Sequence, residues 1–175
     1  SNKLDIFVDT HFAGCKETRR STSGGVCFLG SANIKAWSMT QSTIALSSGE
    51  AELHGICMGI TQALGLQSVG RDLGFQYDLH LHTDATAAIG IRRRRGMGKI
   101  RHLDVADLWC QEKVRSGAVQ LHKVLGAENP ADVMTKYTPR DTLEKMLTKM
   151  GMVAMTGRAE CAPAAAGCAP PAAGQ

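Results

Sequence analysis

Few residues of this chain are aromatic, 5% of 175, and so low a share excludes neither an ordered core nor a nucleic-acid partner. No apolar run approaches the ~20 residues needed to span a bilayer, so no membrane partner is expected. The first residues carry no basic, apolar and small-residue series of the kind that marks a secretory leader. Neither sign of charge dominates. Lys and Arg number 20 against 16 Asp and Glu, and the resulting +4 is too small to argue for nucleic acid unless it is concentrated somewhere. No two of the six cysteines form a C-x-x-C pair, so a zinc site is a poor reading. Cys15, Cys27, Cys57 and Cys110 sit among core-like or loop residues, and Cys161 and Cys168 lie in a biased terminus. A reduced, intracellular protein, cytoplasmic or nuclear, is therefore expected rather than a disulfide framework.

What is present is enough for one domain. Hydrophobic residues make up 43%, and a domain of this size buries roughly 70% of its unfolded surface. Of the last 19 residues, from Gly157, 14 are Ala, Pro or Gly, and three of the chain's five prolines lie there. Such a segment has little to bury. Residues 1–153 are thus expected to form the folded domain and 154–175 a disordered tail.

Leu4–Asp9 reads as a strand, and Val26–Leu29 with Ile34–Met39 as a hairpin around Gly30-Ser31-Ala32-Asn33. Ser47-Ser48 opens a helix running to about Asp72, with Leu53, Ile56, Cys57, Ile60 and Leu64 at helical spacing. Tyr77–Thr83 alternates as a strand. A short helix from Ala85 to about Arg93 and another over about Leu103–Arg115 follow, and Ala118–Val124 is the last strand. Asn129-Pro130 signals a helix start, because Pro at the first helical position lacks an N–H that would be orphaned there. A final helix runs from Pro139-Arg140 through Met150. The order β-β-β-α-β-α-α-β-α-α predicts an α/β fold with a mixed sheet, antiparallel at first and then joined by helical crossovers.

Four carboxylates stand at the ends or starts of these elements: Asp9, Glu52, Asp84 and Asp132. If the first and fourth strands are parallel neighbours, Asp9 and Asp84 come together at the carboxyl ends of strands, where open α/β sheets bind ligands. Adjacent carboxylates repel unless a cation joins them, and hard oxygen ligands suit Mg²⁺ or Mn²⁺. Two residues apart on a helix point roughly 200° apart. Glu52 shares the stripe of Ile56 and Ala63 and is expected to face the sheet, whereas Glu50 shares that of His54, Met58 and Thr61 and is expected to face water. Each acid also has a simpler role open to it. Asp84 could cap a helix, Asp132 could complement a helix dipole, and Glu52 could be solvated.

Several segments in order resemble one family. They are Val8-Asp9-Thr10-His11-Phe12-Ala13-Gly14-Cys15, Thr18 to Gly24, Ala36-Trp37-Ser38, Ala45 to Glu52, Thr83-Asp84 to Ile89, Arg101-His102-Leu103-Asp104 and Ala131 to Lys136. Together they resemble the ribonuclease H domain of copia-type retrotransposon polyproteins, from about Leu4 to Val153. The resemblance implies a ribonuclease H-like fold, a five-stranded mixed sheet in order 3-2-1-4-5 with flanking helices. It implies a metal-dependent endonuclease that cuts the RNA strand of an RNA–DNA hybrid. It also implies Asp9, Glu52, Asp84 and Asp132 as catalytic ligands of two Mg²⁺ or Mn²⁺ ions, and a reverse transcriptase domain of the same polyprotein as a neighbour. The chain departs from the family at His11, where an acid is usual, at Ala85, where Asn is usual, and in the run Arg92-Arg93-Arg94-Arg95.

That run, with Lys99, Arg101 and His102, is the strongest charge cluster, and Arg19 and Arg20 form a second one. Either is a solvated loop or a contact to the hybrid's phosphates, since a hybrid is recognised through backbone shape and 2′-hydroxyls. His80 and His82 alternate on one strand face without an evident third ligand, and His122 has no evident partner. The competing readings are a catalytically silent hybrid-binding module and a related DNA nuclease or integrase. Retention of all four acids favours the enzyme, because a pure binder gains nothing from negative charge beside phosphate.

Overall fold

Alternating apolar residues in the first strand set up the whole molecule. In the computed structural model, which describes residues 2–85, 90 and 105–152, β1 spans Lys3–His11. Leu4, Ile6 and Val8 point to one face and are buried. β2 (Thr22–Leu29) and β3 (Ala32–Thr40) complete an antiparallel meander. Helix α1 (Ser48–Asp72) crosses to β4 (Asp78–Thr83), and α2 (Val105–Arg115) leads to β5 (Gln120–Lys123). Two 3₁₀ turns, Gly126–Glu128 and Pro130–Met134, precede the last helix, α3 (Arg140–Lys149). The sheet order is β3-β2-β1-β4-β5, with β1, β4 and β5 parallel.

The main core lies between the sheet and α1. Leu4, Ile6, Val8, Leu79, Leu81 and Leu121 meet Leu53, Ile56, Ile60 and Ala63. On the opposite face Met150, following α3, packs with Val26 and Phe28, joined by Phe7, Val133 and Met134. Gly25 permits one close approach. A Cβ there would stand 2.1 Å from the Trp37 ring, so the indole lies directly over the backbone of β2. Among the described residues no helix is long and apolar enough to cross a membrane.

The structure alters several expectations. The first strand runs on through His11, because Thr10 and His11 still pair with Ser23 and Thr22. The signal at Asn129-Pro130 is real, since the Asn129 side chain accepts the Ala131 N–H. What it starts is a 3₁₀ turn of five residues rather than an α-helix. Cys57 on α1 and Cys110 on α2 form a disulfide, with Cα atoms 5.6 Å apart. The two cysteines are 53 residues apart in the chain and meet where their helices pack, a contact no local spacing announces. The short helix expected after Ala85, the run Arg92–Arg95, Arg101, His102 and the tail 154–175 lie outside the described residues.

Glu50 does not face water. It is 9% exposed, and its carboxylate accepts the Leu46 N–H at 2.9 Å while the Ser47 hydroxyl accepts the Glu50 N–H. In the first helical turn orphan N–H groups, not the helical stripe, decide where an acid goes. Replacing Glu50 by Ala should cost about 1–2 kcal/mol and lower Tm by roughly 2–8 °C. Glu50→Gln keeps an acceptor and should lose less. Thermal unfolding of the two variants checks this, and an unchanged Tm for Glu50→Ala would remove the capping role.

Candidate active site

The parallel pairing of β1 with β4 ends at Val8 and Thr83 and thereby sets Asp9 and Asp84 side by side just beyond it. A cleft of about 250 Å³ opens there, lined by Val8, Asp9, Thr10, Glu52, Thr83, Asp84, Ala85 and Lys136. Glu52 reaches it from the second turn of α1. Asp132 arrives from the other side, on the 3₁₀ turn Pro130–Met134. Asn129 fixes that turn: its side-chain amide donates to the Val8 carbonyl at 2.9 Å, one residue before Asp9.

Asp9 is 8% exposed, and the Thr135 hydroxyl donates to its Oδ2. Asp132 pairs with Lys136, four residues on. Burial pushes the Asp84 carboxyl above the ordinary carboxylate range, and the charges of Asp9 and Asp132 push it the same way, against its own backbone N–H and Lys136. The Lys136 ammonium is pushed up in turn by its bond to Asp132 and by the Asp9 and Asp84 charges, with burial opposing. Gly126 gives Asp84 room, since a Cβ there would stand 2.9 Å from Asp84 Oδ2.

These groups make a negative cleft balanced by one lysine. All-oxygen donors of this kind suit a hard divalent cation. As they stand, no three His, Cys, Asp or Glu side chains among the described residues converge on one point. Thr135 holds Asp9, and Lys136 draws Asp132 to itself.

Arg19 and Arg20 are exposed in the loop that leaves β1, at the same end of the sheet as Asp9. Arg19 adopts φ 57, and its N–H donates to the Cys15 carbonyl. Sequence reasoning gave no role to Lys136 or Thr135, and gave Asn129 that of a helix start only. The i, i+4 spacing of Asp132 and Lys136 was the available signal for that pair. The contacts of Thr135 and Asn129 span 126 and 121 residues and had none.

No protein-family model matches the chain. The retrovirus-related Pol polyprotein of the tobacco (Nicotiana tabacum) transposon TNT 1-94 is 28% identical over 151 residues, 85% of this chain and 11% of that protein. The chain thus spans about a tenth of the length of the curated relatives it matches over most of its own length. Among solved structures, the N-terminal RNase H domain of a Mycobacterium tuberculosis protein aligns with a TM-score of 0.50 and 17% identity, covering 85% of this chain and 98% of that one. LC11-RNase H1, isolated from compost by a metagenomic approach, also aligns with a TM-score of 0.50 and 17% identity, over 84% and 99%. Over 85% of its length, then, this chain is similar to a transposon Pol polyprotein, and its mixed 3-2-1-4-5 sheet with flanking helices is the ribonuclease H fold.

Proposed function

We propose that this chain is a divalent-metal-dependent ribonuclease H that hydrolyses the RNA strand of RNA–DNA hybrids. The observation that carries the reading is that Asp9, Glu52 and Asp84 line one cleft at the carboxyl end of β1 and β4, with Asp132 near enough for its charge to raise Asp84, on a ribonuclease H fold. Burial first, and then the charges of Asp9 and Asp132, raise the Asp84 carboxyl, as suits acids that a bound cation would join. These four side chains would hold two Mg²⁺ or Mn²⁺ ions. When bound, the ions supply an activated water and stabilise the departing 3′ oxygen, leaving 5′-phosphate and 3′-hydroxyl ends.

The chain's own residues do the rest. Thr135 orients Asp9, and Asn129 keeps the Asp132 turn against β1. Lys136 balances the carboxylates in the absence of metal, and once released from Asp132 its ammonium is available to a substrate phosphate. Arg19 and Arg20, with Arg92–Arg95, Arg101 and His102 in the segment that follows Asp84, would bind the hybrid's backbone. The similarity to Pol polyproteins makes a reverse transcriptase domain the proposed neighbour.

The test is a labelled RNA–DNA hybrid incubated with the chain over a titration of Mg²⁺ and of Mn²⁺. Cleavage of the RNA strand alone, with DNA spared, is expected. Tight binding without cutting at any ion concentration would make the chain a silent hybrid-binding module. In the same assay, Ala in place of Arg92–Arg95 should weaken binding and flatten its salt dependence, by about 0.7–0.9 log units per phosphate contact per decade of salt. An unchanged slope would make the run a solvated loop.

A further inference from the structure

A second cluster of titratable side chains lies on the opposite face of the sheet from α1, away from the cleft. Strand alternation puts His80 and His82 of β4 and Asp5 and Phe7 of β1 on that face, and the register sets His82 opposite both Phe7 and His122 of β5. The rings of Phe7 and His82 stack at 4.5 Å, and the His122 ring lies 5.0 Å from those of both His80 and His82. His80 Nδ1 and His122 Nε2 are 2.9 Å apart. His82 Nε2 is held by the Asp5 carboxylate at 2.6 Å, and Asp5 also pairs with Lys3 at 2.8 Å. All three histidines are half-buried.

We propose that His80 and His122 form a binding site for a divalent transition-metal ion of tetragonal or octahedral preference, Ni²⁺ or Cu²⁺, bridging β4 and the edge strand β5. Two imidazole nitrogens bound cis to one tetragonal or octahedral ion, each about 2.0–2.1 Å from it, stand roughly 2.9 Å apart, which is the spacing found here, and the rings turn from facing each other to face the ion. Imidazole nitrogen suits these ions, whereas Mg²⁺ prefers oxygen. The ring that donates in the present hydrogen bond moves its N–H to its other nitrogen, and both lone pairs then go to the ion. Burial, with the neighbouring His82, His80 and Lys3 charges, holds His122 below the ordinary histidine range against Asp5, which favours the neutral ring that can ligate. Asp5 holds the His82 ring beside the pair and so limits its motion. Since no third ligand converges among the described residues, water completes the shell, and affinity will be lower than in a closed structural site. The site is independent of the nuclease reading.

The experiment is a calorimetric titration of the full chain with Ni²⁺ in excess Mg²⁺. The Mg²⁺ competes for carboxylate sites and not for imidazoles. Ni²⁺ is used because Zn²⁺ would also seek thiols, although the buried Cys27 thiol, pushed up to about 12 by desolvation, is no thiolate at pH 7. Saturable binding of one ion per chain is expected, together with a rise in Tm that Mg²⁺ alone does not give. His122→Gln and His80→Gln should each weaken binding more than about 10-fold, whereas His54→Gln on α1 should leave it unchanged. Thermal scans without metal establish that each variant is folded. Absence of saturable binding, or binding that survives in both His122→Gln and His80→Gln, overturns the proposal.

Discussion

Asp9→Asn will reduce cleavage of an RNA–DNA hybrid at least ~10³-fold, and Asp84→Asn will do nearly the same while raising Tm in metal-free buffer. The first effect follows from charge. Each acid lines the cleft in which a divalent ion would sit. Stabilisation by such ions amounts to several kcal/mol, at about 1.4 kcal/mol per decade of rate. The second effect separates a catalytic acid from a structural one. Burial and the charges of Asp9 and Asp132 raise the Asp84 carboxyl. A group raised in the folded state contributes stability below its unfolded value of 3.8, and that contribution is lost as pH rises through the folded value. At neutral pH the ionised Asp84 therefore works against the fold, and Asn removes the conflict. Asp132→Asn should bring no such gain, because it breaks the pair with Lys136. Added Mg²⁺ should raise Tm of the wild type more than that of Asp84→Asn, since a ligand that binds only the native state stabilises it by mass action. Equal Mg²⁺ responses, or cleavage retained by Asp9→Asn, would overturn the assignment of these acids.

Why the acids were legible and their partners were not comes down to range. Asp9 lies near the carboxyl end of an apolar strand and Asp84 directly follows one, and a parallel β1–β4 pair is a fold-level rule, so their meeting could be read from the order of elements. The position of Glu52 on the sheet side of α1 came from helical periodicity, which holds from the second turn onward. The same periodicity failed for Glu50, where an orphan N–H at Leu46 outweighs the stripe. Asn129-Pro130 declared a helical start, but the length and type of turn depend on Asn129 reaching Val8 across the chain. His122 lacked a visible partner because the register of two parallel strands joined by a helix is not written in either strand. Once β4 and β5 pair, His122 stands opposite His82 and bonds to His80. The Cys57–Cys110 bond is the same case between helices, and the cysteine spacing gave no hint of it.

Asn129→Ala will cost the fold several degrees in Tm although the residue bears no charge. It is fully buried, its amide donates to the Val8 carbonyl, and its side-chain oxygen accepts the Ala131 N–H. Asn129→Ala removes both bonds and leaves buried groups unpaired, each costing about 1–3 kcal/mol. A loss of roughly 2–4 kcal/mol, or about 4–16 °C in Tm, is expected. Asn129→Asp keeps the acceptor for Ala131 and turns the other bond into repulsion between two oxygens. Its buried carboxyl will be raised, so its deficit should be worst at neutral pH and shrink as pH falls, when a protonated oxygen can donate to Val8. The consequence for catalysis is distinct from that for folding. Val8 adjoins Asp9, and the turn that Asn129 anchors carries Asp132. Asn129 is thus a positioning residue that sets one acid against another. Assayed well below its melting temperature, Asn129→Ala should need more Mg²⁺ for half-maximal cleavage, and saturating Mg²⁺ should recover part of the rate. A variant that is less stable yet shows an unaltered Mg²⁺ requirement would confine Asn129 to holding the fold.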